Sequence, residues 1–198
     1  MPLLEEEAPS DPFELFTRWF REARQAGAPQ PEAMTLATSG EDGVSARMVL
    51  FKGLEDGSFV FYTNYDSRKG LDIGHDRRVA LVFYWAPTRH QVRVYGTARK
   101  VSREASSGYF HTRPRGAQLS ALASPQSRVV RSREVLEKRV LELAARHPDE
   151  VPLPRTWGGY AVRPRWIEFW ENRDDRLHDR LRYVARGRSG WRLERLAP

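Results

Sequence analysis

Four cations lie within one short, largely apolar stretch of the sequence, and their spacing points to an anion site. Arg47 and Lys52 flank the apolar run 48–51, while Arg68 and Lys69 come at the predicted start of a helix. A buried cation needs a partner, and a helix N-terminus attracts anions. A bound phosphate would satisfy all four groups. The plainer interpretation is that cations at strand ends are solvated, and this stretch alone leaves both interpretations open.

Three further groups carry side chains suited to binding or to acid–base chemistry. They are Tyr109 with Arg113, Gln126 with Ser127, and Trp170 with the run RLHDR at 176–180. Taken singly, each has a structural explanation. The C-terminus of a helix favours cations, and the charged residues of RLHDR can form surface ion pairs that contribute little stability.

The elements that must position these residues are predicted to be antiparallel strands with a few helices. Strands are expected over 33–38, 47–52, 58–63, 78–85, 90–101, 157–170 and 180–196, the last turning at 187–190. Helices are expected from Pro12 with Asp11 as the N-cap, from Arg68, over 102–113 and over 132–147. Close-set strands joined by short turns favour an antiparallel sheet or barrel. Residues 48–51 are all apolar, so their strand is expected to be buried on both faces.

The length of 198 residues is sufficient for one domain with a substantial core. Residues 1–10 are acidic and contain proline, so we expect a flexible N-terminus followed by a single domain over 11–198. The net charge of +7 raises the question of nucleic acid. However, the basic residues are scattered rather than gathered in a tail. Most of them are arginines, which suit a small anionic ligand equally well.

The chain contains no cysteine, which excludes disulfides, thiolate catalysis and cysteine-based zinc sites. The sequence shows neither a basic and apolar leader nor an apolar run of membrane length. We therefore expect a cytoplasmic protein without a membrane partner.

Taken together and in order, these segments resemble the pyridoxamine 5′-phosphate oxidase family of flavin enzymes. The motifs are RMVLFK, FYTNYDSRK, QVRVYG, YFHTRPR, PQS, VPLPRTWGGY, IEFW, RLHDR and RLAP, and the resemblance runs from about residue 11 to residue 198. It implies a mainly β fold with helices, an FMN-binding antiparallel split β-barrel. It also implies a homodimer with FMN at the subunit interface, with no metal and no nucleic acid. The implied reaction oxidises pyridoxamine 5′-phosphate and pyridoxine 5′-phosphate to pyridoxal 5′-phosphate, with O2 as acceptor and hydrogen peroxide as product. From the amine, water hydrolyses the imine and ammonia is released.

The same resemblance implies which residues contact which ligand. FMN contacts would fall on Arg47, Met48, Val49, Leu50, Lys52, Tyr62, Thr63, Arg68, Lys69, Gln91, Gln126, Ser127, Trp170 and Arg180. Substrate contacts would fall on Lys52, Tyr109, Arg113, Arg176, Leu177 and His178, with Arg176 and His178 as the catalytic pair beside the pyridine ring. The charges of Arg47, Arg68 and Lys69 suit this assignment, because they can neutralise the FMN phosphate, which carries close to two negative charges.

The sequence departs from the family pattern at several positions, which leaves two alternatives open. Ala117 stands where the family usually has serine, Leu122 replaces a usual tryptophan, and the family's Arg-x-x-Tyr segment near the N-terminus is missing. One alternative is a related FMN oxidase acting on another substrate, such as a phenazine precursor. The other is a non-enzymatic basic module that binds nucleic acid, which would be colourless and would bind with steep salt dependence.

Overall fold

The structure is a computed structural model that describes residues 3–187 and 190–198, and its centre is a nine-stranded antiparallel sheet. The strands are β1 (Ala33–Gly40), β2 (Gly43–Leu50), β3 (Gly53–Glu55), β4 (Ser58–Asn64), β5 (Arg78–Trp85), β6 (His90–Lys100), β7 (Trp157–Glu171), β8 (Asp179–Arg186) and β9 (Gly190–Arg195). Their order is β2-β1-β5-β6-β7-β4-β3, with β8 added on β7 and β9 on β8. The predicted antiparallel, mainly β architecture with helices is confirmed.

Strand β7 is the longest element and divides the sheet into two parts. Its residues 160–171 pair with β6, residues 157–162 pair with β4, and residues 166–171 pair with β8. The register with β6 shifts between Tyr95 and Gly96. A Cβ atom on Gly96 would overlap the carbonyl oxygen of Arg163, so a side chain does not fit at this irregularity. The two halves of β7 therefore present their residues in two separate places.

The helices are α1 (Pro12–Gln25), α2 (Arg68–His75), α3 (Arg103–Thr112), α4 (Arg115–Ala123) and α5 (Arg133–Arg146). Helix α1 begins as predicted, with the Asp11 carboxylate accepting a hydrogen bond from the Phe13 N–H at 2.9 Å. Its aromatic face covers the sheet, where the ring of Phe16 lies 4.8 Å from Phe59 and 5.1 Å from Phe83. Each buried aromatic of this kind contributes about 1.5–3 kcal/mol, so α1 is a packing element.

A second, smaller cluster joins α3, α4 and α5 to the start of β7. Phe110 and Trp157 are buried at its centre, and Val140 of α5 packs against them. The sequence also predicts Val135 of α5 to face inward, but its side chain is 48% exposed. This cluster matters for function because it places the end of α3 beside strand β4.

The prediction that strand 47–52 is buried on both faces is wrong for the single chain. Strand β2 lies at the edge of the sheet, where Val44 is 80%, Met48 62% and Leu50 40% exposed. Apolar periodicity shows that a strand face is to be covered, but it does not show by which chain. An edge strand with exposed apolar side chains is typical of an association surface.

The N-terminal segment predicted to be flexible begins outside the described residues, but residues 3–10 are described and lie against β8 and β9. Leu3 is buried, Arg195 pairs with Glu5 at 2.6 Å, and the Tyr183 hydroxyl donates to the Pro9 carbonyl at 2.8 Å. The division into residues 1–10 and 11–198 stays a prediction. The predicted turn at 187–190 falls partly outside the described residues. Across residues 3–187 and 190–198, none of the helices combines the length and apolarity needed to cross a bilayer.

Candidate active site

A cavity of about 570 Å³ opens between the edge strand β2, strand β4, the start of α2 and the α3–α4 corner. Its lining includes many of the residues predicted from the sequence to bind FMN or substrate: Met48, Val49, Leu50, Lys52, Tyr62, Thr63, Lys69, Tyr109, Arg113 and Gln126. These residues come from four separate sequence motifs. We call this set the cavity cluster.

Three of the predicted phosphate-binding cations form one cationic corner, of which only Lys69 lines the cavity. Arg47 and Arg68 do not line the cavity, and both contact the buried carboxylate of Asp72. Burial lowers the pKa values of Arg47 and Lys69, and the charge of Arg47 lowers that of Lys69 further. The protein environment thus disfavours these charges, and a bound dianion would offset that cost.

Neutral groups link this corner to the loop after α4. The side-chain oxygen of Gln126 lies 3.3 Å from both the Thr63 hydroxyl and the Lys69 ammonium group. Ser127, the next predicted FMN contact, adopts a positive φ of 70°. The loop therefore places the predicted Gln126 next to the cationic corner, as an anion site with neutral donors requires.

The same cavity is also lined by Lys52, Tyr109 and Arg113, which are predicted to contact the substrate. The rings of Tyr62 and Tyr109 stack 4.0 Å apart, and the Lys52 ammonium lies 5.9 Å from the Tyr109 ring. The Arg113 guanidinium stacks 4.9 Å from the ring of Trp157. Its Nη1 atom is buried and has no hydrogen-bond partner among the described residues, and burial lowers its pKa. A buried guanidinium nitrogen without a partner needs a hydrogen-bond acceptor, which an anionic ligand in this cavity would supply.

The remaining predicted residues form a second group, which we call the RLHDR cluster. Gln91, Trp170 and Arg180 lie side by side on β6, β7 and β8. The His178 ring lies 4.8 Å from the Trp170 ring, and its Nδ1 accepts a hydrogen bond from the Arg173 N–H at 3.0 Å. In the neutral ring this bond keeps the hydrogen on Nε2, where it is available to a ligand.

The chain between β7 and β8 shapes the exposed part of the RLHDR cluster. Arg176 adopts a positive φ of 67°, and Leu177 is 69% exposed. The Arg180 guanidinium donates to the buried carboxylate of Glu168 at 2.8 and 3.0 Å and to the Ala197 carbonyl at 2.7 Å. These contacts fix Arg180 in a defined orientation, whereas Arg176 and Leu177 project from the loop.

The cavity cluster and the RLHDR cluster lie apart within one chain. Trp157 of the cavity and Trp170 of the RLHDR cluster are 13 positions apart on β7. At about 3.3 Å per residue, the strand carries them roughly 40 Å apart along its length. Among the residues that the structure describes, none of the RLHDR cluster lines the cavity, so a single chain does not present both clusters to a ligand bound there.

Comparison with known proteins identifies the family. A family model described as "Pyridoxamine 5′-phosphate oxidase" matches residues 20–147. A second model, "Pyridoxine 5′-phosphate oxidase C-terminal dimerisation region", matches residues 157–198. The chain belongs to the pyridoxamine 5′-phosphate oxidase family. The resemblance seen in the sequence motifs is thereby confirmed, and the dimerisation region contains most of the RLHDR cluster.

Several curated relatives match over nearly the whole chain. An enzyme of Salinibacter ruber named pyridoxine/pyridoxamine 5′-phosphate oxidase is 55% identical over 95% of this chain and 89% of its own. Enzymes of the same name from Rubrobacter xylanophilus and Bordetella pertussis are 54% and 50% identical, each over 99% of this chain and over 91% and 93% of their own lengths.

Solved structures support the same fold. The structure of PhzG from Burkholderia lata 383 in complex with tetrahydrophenazine-1-carboxylic acid superposes with a TM-score of 0.91 at 32% identity, covering 98% of this chain and 95% of that chain. A pyridoxamine 5′-phosphate oxidase-related, FMN-binding protein of Nostoc punctiforme superposes with a TM-score of 0.77 at 19% identity, covering 96% of this chain and 100% of that chain. The second likeness shows the fold alone, and both agree with the predicted split barrel.

Sequence reasoning did not assign a role to two residues at the site. Trp157 supplies the ring beside Arg113, and Asp72 supplies the carboxylate between Arg47 and Arg68. For Asp72 the sequence does contain a signal, which is its i, i+4 spacing from Arg68 on a predicted helix. Residues at this spacing share a helix face. Trp157 stands in the motif VPLPRTWGGY, but the motif alone does not show that its ring reaches the cavity.

Proposed function

We propose that this protein is an FMN-dependent oxidase that converts pyridoxamine 5′-phosphate and pyridoxine 5′-phosphate to pyridoxal 5′-phosphate with O2. The observation that carries the proposal is the buried Nη1 of Arg113, which has no hydrogen-bond partner among the described residues and belongs to a residue that lines the same cavity as Lys69. Two anion sites at one cavity match the two phosphates that such a reaction brings together, one on FMN and one on the substrate. The names of relatives at 50–55% identity support the same activity.

The residues present suit FMN. The cationic corner would receive the phosphate, and residues 48–50 of edge strand β2 line the cavity, where their backbone groups can bond the flavin ring. The chemistry that FMN supplies when bound is the acceptance of a hydride from the substrate and its transfer to O2 as hydrogen peroxide. In this assignment Gln91, Trp170 and Arg180 would contact FMN from the second subunit.

The chain's own residues would bind and orient the substrate. Lys52, Tyr109 and Arg113 would hold its phosphate, with the Arg113 guanidinium fixed by stacking on Trp157. Arg176 and His178 of the second subunit would lie beside the pyridine ring, with His178 presenting its Nε2 hydrogen. Holding the reacting carbon close to the acceptor lowers the barrier by proximity and orientation.

The active form in this proposal is a homodimer with FMN at the subunit interface. Three observations support it: the apolar exposed edge of β2, the dimerisation region over residues 157–198, and the separation of the cavity cluster from the RLHDR cluster. The cytoplasmic location expected from the sequence stays a prediction.

The proposal is tested with the purified protein. We expect a yellow protein whose flavin absorbance is bleached by pyridoxamine 5′-phosphate without oxygen, and which in air forms one hydrogen peroxide per aldehyde. Pyridoxine 5′-phosphate should react in the same way, and tetrahydrophenazine-1-carboxylic acid serves as the comparison substrate. A flavin that is bleached by the phenazine acid but not by either vitamer would overturn the proposal.

The corner of Arg47, Arg68 and Lys69 predicts a strong preference for FMN over riboflavin. Hydrogen bonds between charged groups are worth about 1.5–3 kcal/mol each, so the phosphate should strengthen binding by about two orders of magnitude or more. Titration of the apoprotein, followed by quenching of flavin fluorescence, gives both dissociation constants. Equal constants would show that the corner does not bind the phosphate.

Ala117 lines the cavity four positions after Arg113, in α4, where the family usually has serine. Ala117→Ser is expected to lower the KM for pyridoxamine 5′-phosphate by about three- to tenfold, since one hydrogen bond to a charged group is added in an open site. Turnover should hardly change, because phosphate binding is uniform between ground and transition states.

Ser120→Ala is the matched control for Ala117→Ser. Ser120 also lines the cavity, but its hydroxyl already donates to the Gly116 carbonyl at 2.8 Å, so we expect its removal to leave KM unchanged. A KM that rises in Ser120→Ala and stays constant in Ala117→Ser would show that Ser120 already supplies the missing hydroxyl.

A further inference from the structure

Asp72 is a buried carboxylate on α2 that contacts both arginines of the cationic corner. Its side chain is 3% exposed, and its two oxygens lie 2.8 Å from Arg68 Nε and 3.5 Å from Arg47 Nη2. The Thr38 hydroxyl donates to it at 2.7 Å, and the same hydroxyl accepts a hydrogen bond from Arg47 Nη1 at 2.6 Å. One carboxylate and one hydroxyl thus tie β1, β2 and α2 together at this corner.

Asp72 carries its charge despite its burial. Burial alone would raise its pKa, but the Thr38 hydroxyl and the Arg68 guanidinium hold the pKa of this carboxyl below its usual value. A buried anion beside a phosphate site would weaken phosphate binding through repulsion if it had no other effect. If Asp72 favours phosphate binding, its favourable effect must be larger than this repulsion.

The charges of the corner suggest what that effect is. Arg47, Arg68 and Lys69 together carry three positive charges, and the carboxylate of Asp72 leaves a net charge of about +2, which matches a phosphate monoester near −2. Before a phosphate arrives, the three cations repel one another, and the pKa of Lys69 is lowered partly by Arg47. Asp72 offsets this repulsion in the form that has yet to bind FMN.

We propose that Asp72 is a positioning residue that holds Arg47 and Arg68 in place for the FMN phosphate before the cofactor binds. The inference rests on the proposed FMN binding at this cavity. Side chains that are already held in their bound arrangement lose less entropy when the ligand arrives, which raises affinity. The effect is specific to the phosphate, because Asp72 contacts the cations of the corner and is not among the residues that line the cavity.

Gly40 at the end of β1 provides a second way to disturb Asp72. A Cβ atom built on Gly40 would overlap Oδ1 of Asp72 and lie 3.0 Å from its Cγ. Gly40→Ala therefore displaces the carboxylate while leaving every charge of the corner in the chain. Asp72→Asn does the reverse, because it removes the charge and keeps the shape.

The test compares the affinities of the apoprotein variants for FMN and for riboflavin. In Asp72→Asn we expect FMN to bind about tenfold more weakly, which corresponds to about 1.4 kcal/mol, and riboflavin to change by less than about twofold. Gly40→Ala should also weaken the binding of FMN more than the binding of riboflavin. Asp42→Asn is the matched control: its carboxylate also pairs with Arg68, at 3.0 Å, but it is 80% exposed, so both affinities should stay constant.

Three outcomes would contradict the inference. FMN binding that becomes tighter in Asp72→Asn would show that repulsion dominates, and no change in either affinity would show that Asp72 does not act on flavin binding. Equal losses of FMN and riboflavin would indicate a purely structural role. If Asp72→Asn does not fold, the ratio of the FMN and riboflavin affinities of Gly40→Ala distinguishes the same outcomes.

The wild-type protein separates this inference from the proposed function. If it binds riboflavin as tightly as FMN, the phosphate assignment fails and the role of Asp72 fails with it. If it prefers FMN and both variants keep that preference, the role of Asp72 alone is overturned.

Discussion

Replacing Arg113 by alanine is expected to raise the KM for pyridoxamine 5′-phosphate by about 100-fold or more, since two charge-assisted hydrogen bonds to a phosphate are worth about 3–6 kcal/mol. The guanidinium is held by stacking on Trp157, and its Nη1 is buried without a partner among the described residues. FMN should remain bound, because the cationic corner for its phosphate is separate. Steady-state kinetics with the FMN-saturated variant measures the change in KM, and titration of its apoprotein measures FMN affinity.

Arg115→Ala is the control for the loss of one positive charge close to Arg113 in the sequence. Arg115 stands two positions after Arg113, but its guanidinium donates to backbone carbonyls, including that of Asp149 at 3.3 Å. We expect its removal to leave the KM for the substrate nearly unchanged. An Arg113→Ala variant that loses FMN and keeps its KM would assign Arg113 to the cofactor instead.

Much of the fold follows from local patterns in the sequence. The Asp11–Pro12 start of α1, the Ser102 cap of α3 and the start of α2 at Arg68 all appear where capping rules predict them. These features are local, because each depends on residues within one helical turn. The cavity cluster was also predictable, but from the order of family motifs rather than from physical chemistry alone.

The properties that depend on a second chain could not be read from the sequence. Met48 and Leu50 have the apolar character of buried residues, yet their exposure in one chain shows that a strand pattern does not reveal which surface covers it. In the same way, the sequence shows that the RLHDR motif follows the cavity motifs. It does not show that this motif lies at the end of β7 that is remote from Trp157.

Asp72 shows a different limit of sequence reasoning. Its spacing from Arg68 fits a common surface ion pair on a helix, which contributes little. The importance of the contact comes from burial at 3% exposure and from Arg47, which reaches the same carboxylate from another strand. Both facts are tertiary, so the helix sequence alone does not contain them.

The last prediction concerns which chain supplies which cluster. In the proposed dimer, each active site takes Arg113 from one subunit and His178 from the other. We expect Arg113→Ala and His178→Ala homodimers to be nearly inactive at substrate concentrations near the wild-type KM, because every site carries a substitution. A heterodimer of the two variants, purified through two different affinity tags, should recover about half of the wild-type activity, since one of its two symmetric sites carries both substitutions and the other carries neither.

The matched control for this experiment pairs two substitutions from the same cluster. In a heterodimer of Lys52→Ala and Arg113→Ala, each site receives its whole cavity cluster from one subunit, so each site keeps one substitution and activity should stay low. No recovery with His178→Ala would mean that His178 acts in the site of its own subunit, and recovery in the control would mean that Lys52 and Arg113 of one chain act in different sites. Either result would contradict the proposed division of each active site between the two subunits. Recovery only in the first pair would establish that each active site needs both chains, because the two clusters meet only across the dimer interface.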